Sequence, residues 1–150
     1  MLKALILVGG LAVLALGCAA TPARADFSAC ASAYEAKDLH QQIDLYTTCL
    51  KHGGLPGDAL AGAFNNRGVA YEQLGETDKA LQDFISATQY DPNWPEFRRN
   101  RADTEAQLGK CPEALADIDL VLKLAPHRKE FVEEKARLVA GCPIISKPQT

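Results

Sequence analysis

The strongest constraint on the fold is that the sequence repeats itself at a lag of 34 residues. The Gln-Leu-Gly segment at 73–75 returns at 107–109, and the Asn-Arg segment at 66–67 returns at 100–101. Self-similarity at a fixed period of this size is the signature of stacked supersecondary units. The period therefore predicts a solenoid, in which each unit packs against its neighbours.

One copy of the repeat carries a complete motif of small, aromatic and proline positions. Within residues 61–94 these are Phe64, Arg67, Gly68, Tyr71, Ala80, Phe84 and Pro92. The spacing resembles the tetratricopeptide repeat, which has a period of about 34 residues and the pattern W-x2-L-G-x2-Y, A-x3-F, P. Residues 95–128 form a weaker copy, because Arg98, Ala102 and Glu105 replace the aromatic, glycine and tyrosine.

Elementary helix physics agrees with this resemblance. Gly68 and Ala80 are small where two helices must approach closely. Gly75 and Gly109 fit the left-handed residue that ends the first helix of each hairpin. The prolines one repeat apart, Pro92 and Pro126, stop the second helices. The alternative is an unrelated helical bundle with chance glycines.

The flanking segments extend the stack in both directions. Residues 26–60 resemble a degenerate first hairpin, with Tyr46 as its aromatic residue and Asp58 as an N-cap before the clear repeat. Residues 129–142 predict a capping helix whose apolar side carries Phe131, Val132, Leu138 and Val139. Residues 143–150 form a tail. The expected fold is all-α: an α/α solenoid of about three helical hairpins plus a C-terminal capping helix.

The N-terminus predicts an exported protein of the bacterial envelope type. Residues 1–25 combine Lys3, the uncharged run Ala4–Leu16 and the sequence Ala23-Arg24-Ala25, which is the layout of a signal peptide. The 13-residue run is shorter than the roughly 20 residues of a membrane span, which disfavours a retained anchor. A second route is lipidation at Cys18, since residues 14–18 resemble a lipobox. Either route predicts a protein outside the cytoplasm, and the first predicts the periplasm.

Charge and histidine content exclude several classes of function. Removing residues 1–25 leaves 14 basic against 19 acidic residues, a net charge of −5. Nucleic-acid binding needs a basic patch, and anionic membranes attract polybasic stretches, so neither partner is expected unless Cys18 is lipidated. The three histidines show no zinc-ligand spacing. The sequence predicts no metal and no cofactor.

Four cysteines remain in the mature chain: Cys30, Cys49, Cys111 and Cys142. An exported chain with an even number of cysteines favours disulfides over buried thiols. In a helical hairpin, residues equidistant from the turn come together. This symmetry predicts the pairs Cys30–Cys49 and Cys111–Cys142, whereas cross-pairing would join the two ends of the stack.

The resemblance also implies where a partner would bind. Tetratricopeptide arrays present the first helix of each hairpin along a concave groove. By the family pattern, the groove would be lined by Asn65, Asn66, Val69, Glu72, Gln73, Arg99, Asn100, Asp103 and Gln107. Asn66 and Asn100, one repeat apart, are the leading candidates because carboxamides both donate to and accept from a peptide backbone. The alternative is that both are simply solvated. A chaperone-type carboxylate clamp is not expected, because only Arg99 qualifies for it.

No pattern of catalytic residues is present, so no enzyme activity is expected. The sequence contains no H-E-x-x-H, no Gly-rich phosphate loop and no Ser/His/Asp set. The predicted function is a non-catalytic protein–protein interaction module that binds a peptide or partner protein, alone or in a homo- or hetero-oligomer. The alternative is an architectural or lipid-anchored assembly subunit that uses its convex or capping surface, with Trp94 as an exposed anchor or as inter-repeat packing.

The first testable prediction concerns processing. The intact mass of the exported protein should correspond to a chain that begins at Asp26, because the A-x-A sequence ends at Ala25. Cys18→Ser should leave the mass and the localisation unchanged. A diacylglyceryl-modified species that begins at Cys18 would contradict this prediction.

Overall fold

The computed structural model describes residues 28–52 and 54–142, and these residues form seven helices and no strand. The expected signal peptide, the lipobox and the tail at 143–150 lie outside the described residues. The helices are α1 Ser28–Glu35, α2 Leu39–His52, α3 Gly57–Gln73, α4 Thr77–Tyr90, α5 Pro95–Gln107, α6 Cys111–Leu124 and α7 Lys129–Gly141.

The helices pack in sequence order as three hairpins and a final helix. The hairpins are α1 with α2, α3 with α4, and α5 with α6, and each hairpin contacts the next along the chain. Helix α7 lies against both α6 and α5. This is the predicted all-α solenoid with a capping helix.

The turns inside the second and third hairpins depend on the two predicted glycines. Gly75 and Gly109 have φ values of 75° and 74°, in the left-handed region that side chains with a Cβ rarely adopt. At the other ends of these hairpins, α4 ends at Tyr90 and α6 ends at Leu124, shortly before Pro92 and Pro126. The predicted stop signals are therefore confirmed.

Helix α3 begins earlier than the sequence indicates. Its first residue is Gly57, so the expected boundary between residues 60 and 61 falls inside the helix. Pro56 occupies the N-cap position, and Asp58 lies within the first turn, where its carboxylate accepts a hydrogen bond from the Ala59 N–H at 2.9 Å. The prediction of Asp58 as N-cap is wrong. A first-turn acid instead complements the helix dipole.

The buried face of helix α7 is narrower than the sequence predicts. Phe131 and Leu138 are almost fully buried in a core shared with α5 and α6, which includes Ile118. Val132 and Val139 are 54% and 43% exposed, so their prediction as part of the buried side is wrong. Each follows a buried residue by one position, and one residue turns the side chain by about 100° around the helix axis.

Buried ion pairs join the helices within and between hairpins. Arg67 of α3 donates from Nε and Nη2 to both carboxylate oxygens of Asp83 in α4, at 2.8 and 2.7 Å, and from Nη1 to the Thr47 hydroxyl of α2 at 3.0 Å. One repeat later, Arg101 of α5 donates to both oxygens of Asp117 in α6. Its Nη1 donates to the Thr88 hydroxyl of α4 at 2.8 Å. Each arginine therefore ties its own hairpin to the preceding one.

Both predicted cysteine pairs are close enough for disulfides. The structure joins Cys30 to Cys49 with Cα atoms 5.2 Å apart, and Cys111 to Cys142 with Cα atoms 5.5 Å apart. Disulfides span Cα separations of roughly 4.4–6.8 Å. The first bridge crosses the α1–α2 hairpin, and the second joins the start of α6 to the end of α7. The two disulfides thus lie at the two ends of the described stack.

The second prediction is the covalent pairing itself. Non-reducing peptide mapping of the exported protein should recover Cys30–Cys49 and Cys111–Cys142 peptides. Cys111→Ser combined with Cys142→Ser should lower the free energy of unfolding by roughly 2–5 kcal/mol, because the unfolded chain regains the freedom that the bridge removes. Chemical denaturation measures that loss. A Cys49–Cys111 peptide or four free thiols would refute the pairing.

The third prediction tests the close approach of α3 and α4. A Cβ added at Gly68 would lie 2.8 Å from Cε1 of Phe84, whose side chain is fully buried and cannot move aside. Gly68→Ala should therefore lower the free energy of unfolding by about 1–3 kcal/mol. Gly62, in the same helix, is the matched control because nothing lies within 4 Å of its added Cβ.

Gly62→Ala should raise the free energy of unfolding by about 0.5–1 kcal/mol, since alanine restricts the unfolded chain and favours helix. Equal effects of the two substitutions in urea denaturation would show that the α3–α4 contact is not tight.

Candidate binding surface on the first helices

Polar side chains connect α3, α5 and α7 at distances of one repeat along the chain. The Asn100 amide donates to Asn65 Oδ1 at 2.9 Å, and the Gln107 amide donates to Glu72 Oε1 at 3.0 Å. Both pairs join residues that are 35 positions apart. Arg137 of α7 in turn donates to Asp103 of α5. We call these six residues the polar ladder, and they make the three helices one continuous surface.

The ladder is anchored at its N-terminal end by a buried tyrosine. The Asn66 amide donates to the Tyr46 hydroxyl at 3.1 Å, and the Asn65 amide donates to Asn66 Oδ1 at 3.2 Å. Tyr46 is only 4% exposed, and this burial raises the pKa of its hydroxyl although the hydrogen bond with Asn66 opposes the shift. An unbroken chain of hydrogen bonds therefore leads from Tyr46 through both neighbouring asparagines to Asn100.

Asn66 and Asn100 are half-buried, which disfavours the alternative that both side chains are simply solvated. Their burial leaves part of each amide available. Among the residues that the structure describes, Asn100 Oδ1 has no hydrogen-bond partner, and each carboxamide nitrogen uses one of its two N–H groups. The two amides are thus fixed in orientation while keeping capacity for a further hydrogen bond.

The remaining predicted groove residues divide into two groups. Arg99 lies with Nε 3.7 Å from the Asp103 carboxylate, and Glu72 pairs with Gln107, so these four belong to the connected surface. Val69 is half-buried, and Gln73 is exposed at the end of α3. Val69 is apolar, and within 28–52 and 54–142 the Gln73 side chain takes no part in the hydrogen bonds of the ladder.

The C-terminal end of the surface is a compact group of charges from two helices. Asp103 of α5 and Glu134 of α7 both accept hydrogen bonds from Arg137. Burial raises the pKa of Asp103 to about 7, helped by its hydrogen bond with Glu134 and opposed by Arg137 and Arg99. Burial would also raise the pKa of Glu134, but hydrogen bonds with Asp103 and Arg137 lower it. The pair therefore takes up a proton, on Asp103, as the pH falls through about 7.

Sequence reasoning missed Arg137 and Glu134 because it treated α7 only as a cap. The signal was available, since Arg137 follows Asp103 by 34 positions, the same lag as the repeat. Helix α7 thus stands where the first helix of a further repeat would stand, and it contributes side chains to the same surface as α3 and α5.

A cavity of about 220 Å³ opens beside this charged group. Its lining combines polar and apolar side chains from α5 and α7 with the end of the second disulfide. The lining residues are Asp103, Ala106, Gln107, Arg137, Leu138, Gly141 and Cys142. The arrangement can hold a side chain that has an apolar stem and a polar end.

The described ranges contain no group of three or more His, Cys, Asp or Glu side chains placed to hold a metal ion. Over the same ranges, no helix is long and apolar enough to cross a membrane. The four cysteines of these ranges are all joined in disulfides.

Residues 61–93 match the family model of the tetratricopeptide repeat. Solved domains of this type share the fold over most of the chain. The second TPR domain of human RPAP3, determined with an HSP70 peptide, is 25% identical with a TM-score of 0.67, covering 79% of this chain and 98% of that one. The Arabidopsis OM64 TPR domain is 27% identical with a TM-score of 0.63, covering 73% and 88% of the two chains. The fold is therefore a tetratricopeptide-like helical solenoid.

Among curated proteins, the human and mouse serine/threonine-protein phosphatase 5 are each 29% identical to this chain over 120 residues. The aligned region is 72% of this chain but only 23% of either phosphatase. The chain therefore spans less than a quarter of the length of these relatives.

Proposed function

We propose that the chain is an exported, non-catalytic interaction module of the cell envelope that holds an extended peptide or partner segment across α3, α5 and α7. The polar ladder is the observation that carries this proposal. Its side chains are linked across three helices at one-repeat distances, from Asn65 and Asn100 at one end to Asp103 and Arg137 at the other. A core would bury such groups completely, whereas a binding face keeps them fixed and partly accessible.

The chemistry of the ladder suits a peptide backbone. An extended segment presents N–H and C=O groups in alternation, and a carboxamide can satisfy either kind. Because Asn66 is held by the buried Tyr46 hydroxyl and Asn100 by Asn65, binding would freeze few additional side-chain rotations. Such pre-organisation lowers the entropic cost of association.

The structural neighbours support a peptide partner but not the same recognition chemistry. The second TPR domain of human RPAP3 was solved with an HSP70 peptide, and the first TPR of Spaghetti (RPAP3) with an HSP90 peptide. In this chain, both arginines at the C-terminal end of the ladder, Arg99 and Arg137, already contact Asp103. Their charge is therefore partly neutralised, which makes them poor anchors for an acidic peptide.

The export part of the proposal rests on the sequence before residue 26 and on the cysteines. The signal-peptide layout and the two close cysteine pairs agree with each other, since disulfides persist in the oxidising periplasm. Acylation at Cys18 is the alternative route, and it would tether the same solenoid to a membrane.

A second candidate function is architectural, with the capping end as the contact surface. It is favoured by Val132 and Val139, which are half-exposed on α7. Trp94 is 52% exposed in the linker between α4 and α5, although its ring also packs at a tilt on Phe97 with centroids 5.9 Å apart. These apolar side chains would insert into a larger complex, and the polar ladder would then have no partner.

The fourth prediction separates the two candidates. Asn66→Ala combined with Asn100→Ala should weaken partner binding by about 1–3 kcal/mol, because each amide loses hydrogen bonds in a partly desolvated surface. Quantitative mass spectrometry of proteins captured from the native envelope identifies the partner, and calorimetry with that partner gives the affinity.

The matched control is Gln82→Ala combined with Gln89→Ala, which removes two exposed carboxamides from α4. It should leave binding unchanged. Thermal unfolding must accompany both variants, since the half-buried asparagines also contribute about 1 kcal/mol each to stability. Equal partner affinity in the asparagine variant, with loss of the partner in Val132→Glu and Val139→Glu, would replace the groove function by the architectural one.

A further inference from the structure

We propose that the cavity between α5 and α7 is a subsite for a basic side chain, lysine or arginine, of the bound partner. The inference deepens the proposed groove function and rests on it, because the cavity adjoins the C-terminal end of the polar ladder. The ligand would lay its apolar stem on Ala106, Leu138 and Cys142 and place its cation against the carboxylate of Asp103, which lines the cavity and has Glu134 as its neighbour.

The carboxylates are the first reason for this choice. The side chains of Asp103 and Glu134 are only 16% and 13% exposed, so water screens their charges poorly. Two acids held this close need a positive charge nearby, and Arg137 now supplies it. The raised pKa of Asp103 shows that Arg137 and Arg99 do not fully compensate for the burial and for the neighbouring acid.

The second reason is that the present counter-charge can be displaced. The Arg137 side chain is 63% exposed, whereas the two acids that it contacts are mostly buried. Because Arg137 reaches these acids from the solvent side, it loses side-chain entropy when it is held in this pair. A partner cation that enters the cavity can take its place while Arg137 turns towards solvent.

The third reason is the shape and charge of the surroundings. The cavity of about 220 Å³ has a polar side at Asp103 and Gln107 and an apolar side at Ala106 and Leu138. Long basic side chains have this same division, an aliphatic stem with a charged end. Above pH 7, where Asp103 is ionised, the ladder end carries three carboxylates, on Glu72, Asp103 and Glu134, against the two guanidinium groups of Arg99 and Arg137. This excess of negative charge selects against an acidic ligand.

The subsite should respond to pH because a cation binds the ionised pair. The charged groups that face Asp103 are Arg99 from α5 and Glu134 and Arg137 from α7. With the pKa of Asp103 at about 7, the pair loses one negative charge as the pH falls through that value. Affinity for a cation is therefore greatest well above pH 7 and falls as the pH decreases through 7, by about tenfold between pH 8 and pH 6.

The fifth prediction tests the subsite on the full chain by NMR. Titration with N-acetyl-lysine methylamide at pH 8 should give saturable shifts of the backbone amides of Ala106, Gln107 and Gly141, with weak affinity in the millimolar range. N-acetyl-norleucine methylamide keeps the stem without the cation and should not saturate. N-acetyl-glutamate methylamide should not bind. The lysine affinity should fall about tenfold at pH 6.

The variants Asp103→Asn and Glu134→Gln should each weaken the lysine probe by at least about fivefold, since each removes one of the facing charges. Asp119→Asn is the matched control, because Asp119 is an exposed acid on α6 that pairs with Lys135 away from the cavity. It should leave the lysine affinity unchanged. Circular dichroism checks that all three variants fold.

Four results would overturn the subsite: no saturable binding of the lysine probe, saturation by the norleucine probe with equal affinity, tighter binding of the glutamate probe, or the same loss in Asp119→Asn as in Asp103→Asn. The lysine probe is too small to depend on Asn66 and Asn100. If the probe does not bind, the proposed groove function is therefore not refuted. Lysine binding at the cavity together with unchanged partner affinity in the asparagine variant would instead support the subsite and refute the extended-peptide mode.

Discussion

The stack depends on one interaction that occurs once in each of two repeats, an arginine bound through two nitrogens to a buried aspartate. Arg67 with Asp83 and Arg101 with Asp117 close their hairpins, and the third nitrogen of each guanidinium reaches a threonine of the preceding hairpin. Two parallel hydrogen bonds fix both distance and orientation, which a single apolar contact cannot do. The same group thus sets the packing within a hairpin and the step to the next, and so places α3, α5 and α7 side by side.

In the second repeat, the arginine–aspartate pair has two charged neighbours that the first repeat lacks. Arg98 stands where Phe64 stands one repeat earlier, and it adds a hydrogen bond to Asp117 at 3.2 Å and one to the Pro92 carbonyl at 2.9 Å. Glu105 stands where Tyr71 stands. Its Oε2 is buried with no hydrogen-bond partner in the part of the chain that the structure describes, and burial and Asp117 raise its pKa to about 6. This acid weakens the third hairpin above pH 6, where it is ionised, and the covalent link from Cys111 to Cys142 joins the same hairpin to α7.

The fold was predictable because its determinants are local and periodic. Gly75, Gly109 and the two prolines act through their own backbone, and the repeat lag fixes how often they occur. The side-chain contacts between helices were harder to predict from the sequence. The recurrence of Arg67 and Asp83 as Arg101 and Asp117 is visible in the sequence, but their pairing depends on helix rotation, which the period does not give. The same limitation misplaced Val132 and Val139, because a one-residue error in the buried stripe rotates a side chain by about 100°. Arg137 was not predicted for another reason: as a capping helix, α7 was expected only to cover the apolar end of the stack, whereas it also contributes to the polar surface.

The position of the disulfides relates stability to the binding surface. The middle hairpin packs Gly68 on Phe84 and needs no bridge, whereas each end of the described stack carries one. An end repeat has a neighbour on one side only, so it gains less from packing and frays more readily. Fraying would matter most at the ladder's two ends, at Tyr46 in α2 and at Arg137 in α7, because these residues orient the amides and acids between them. The bridges join α1 to α2 and α6 to α7, so each one holds the helix that carries such an anchor. The two disulfides should therefore limit fraying of the helices that hold these anchors in place.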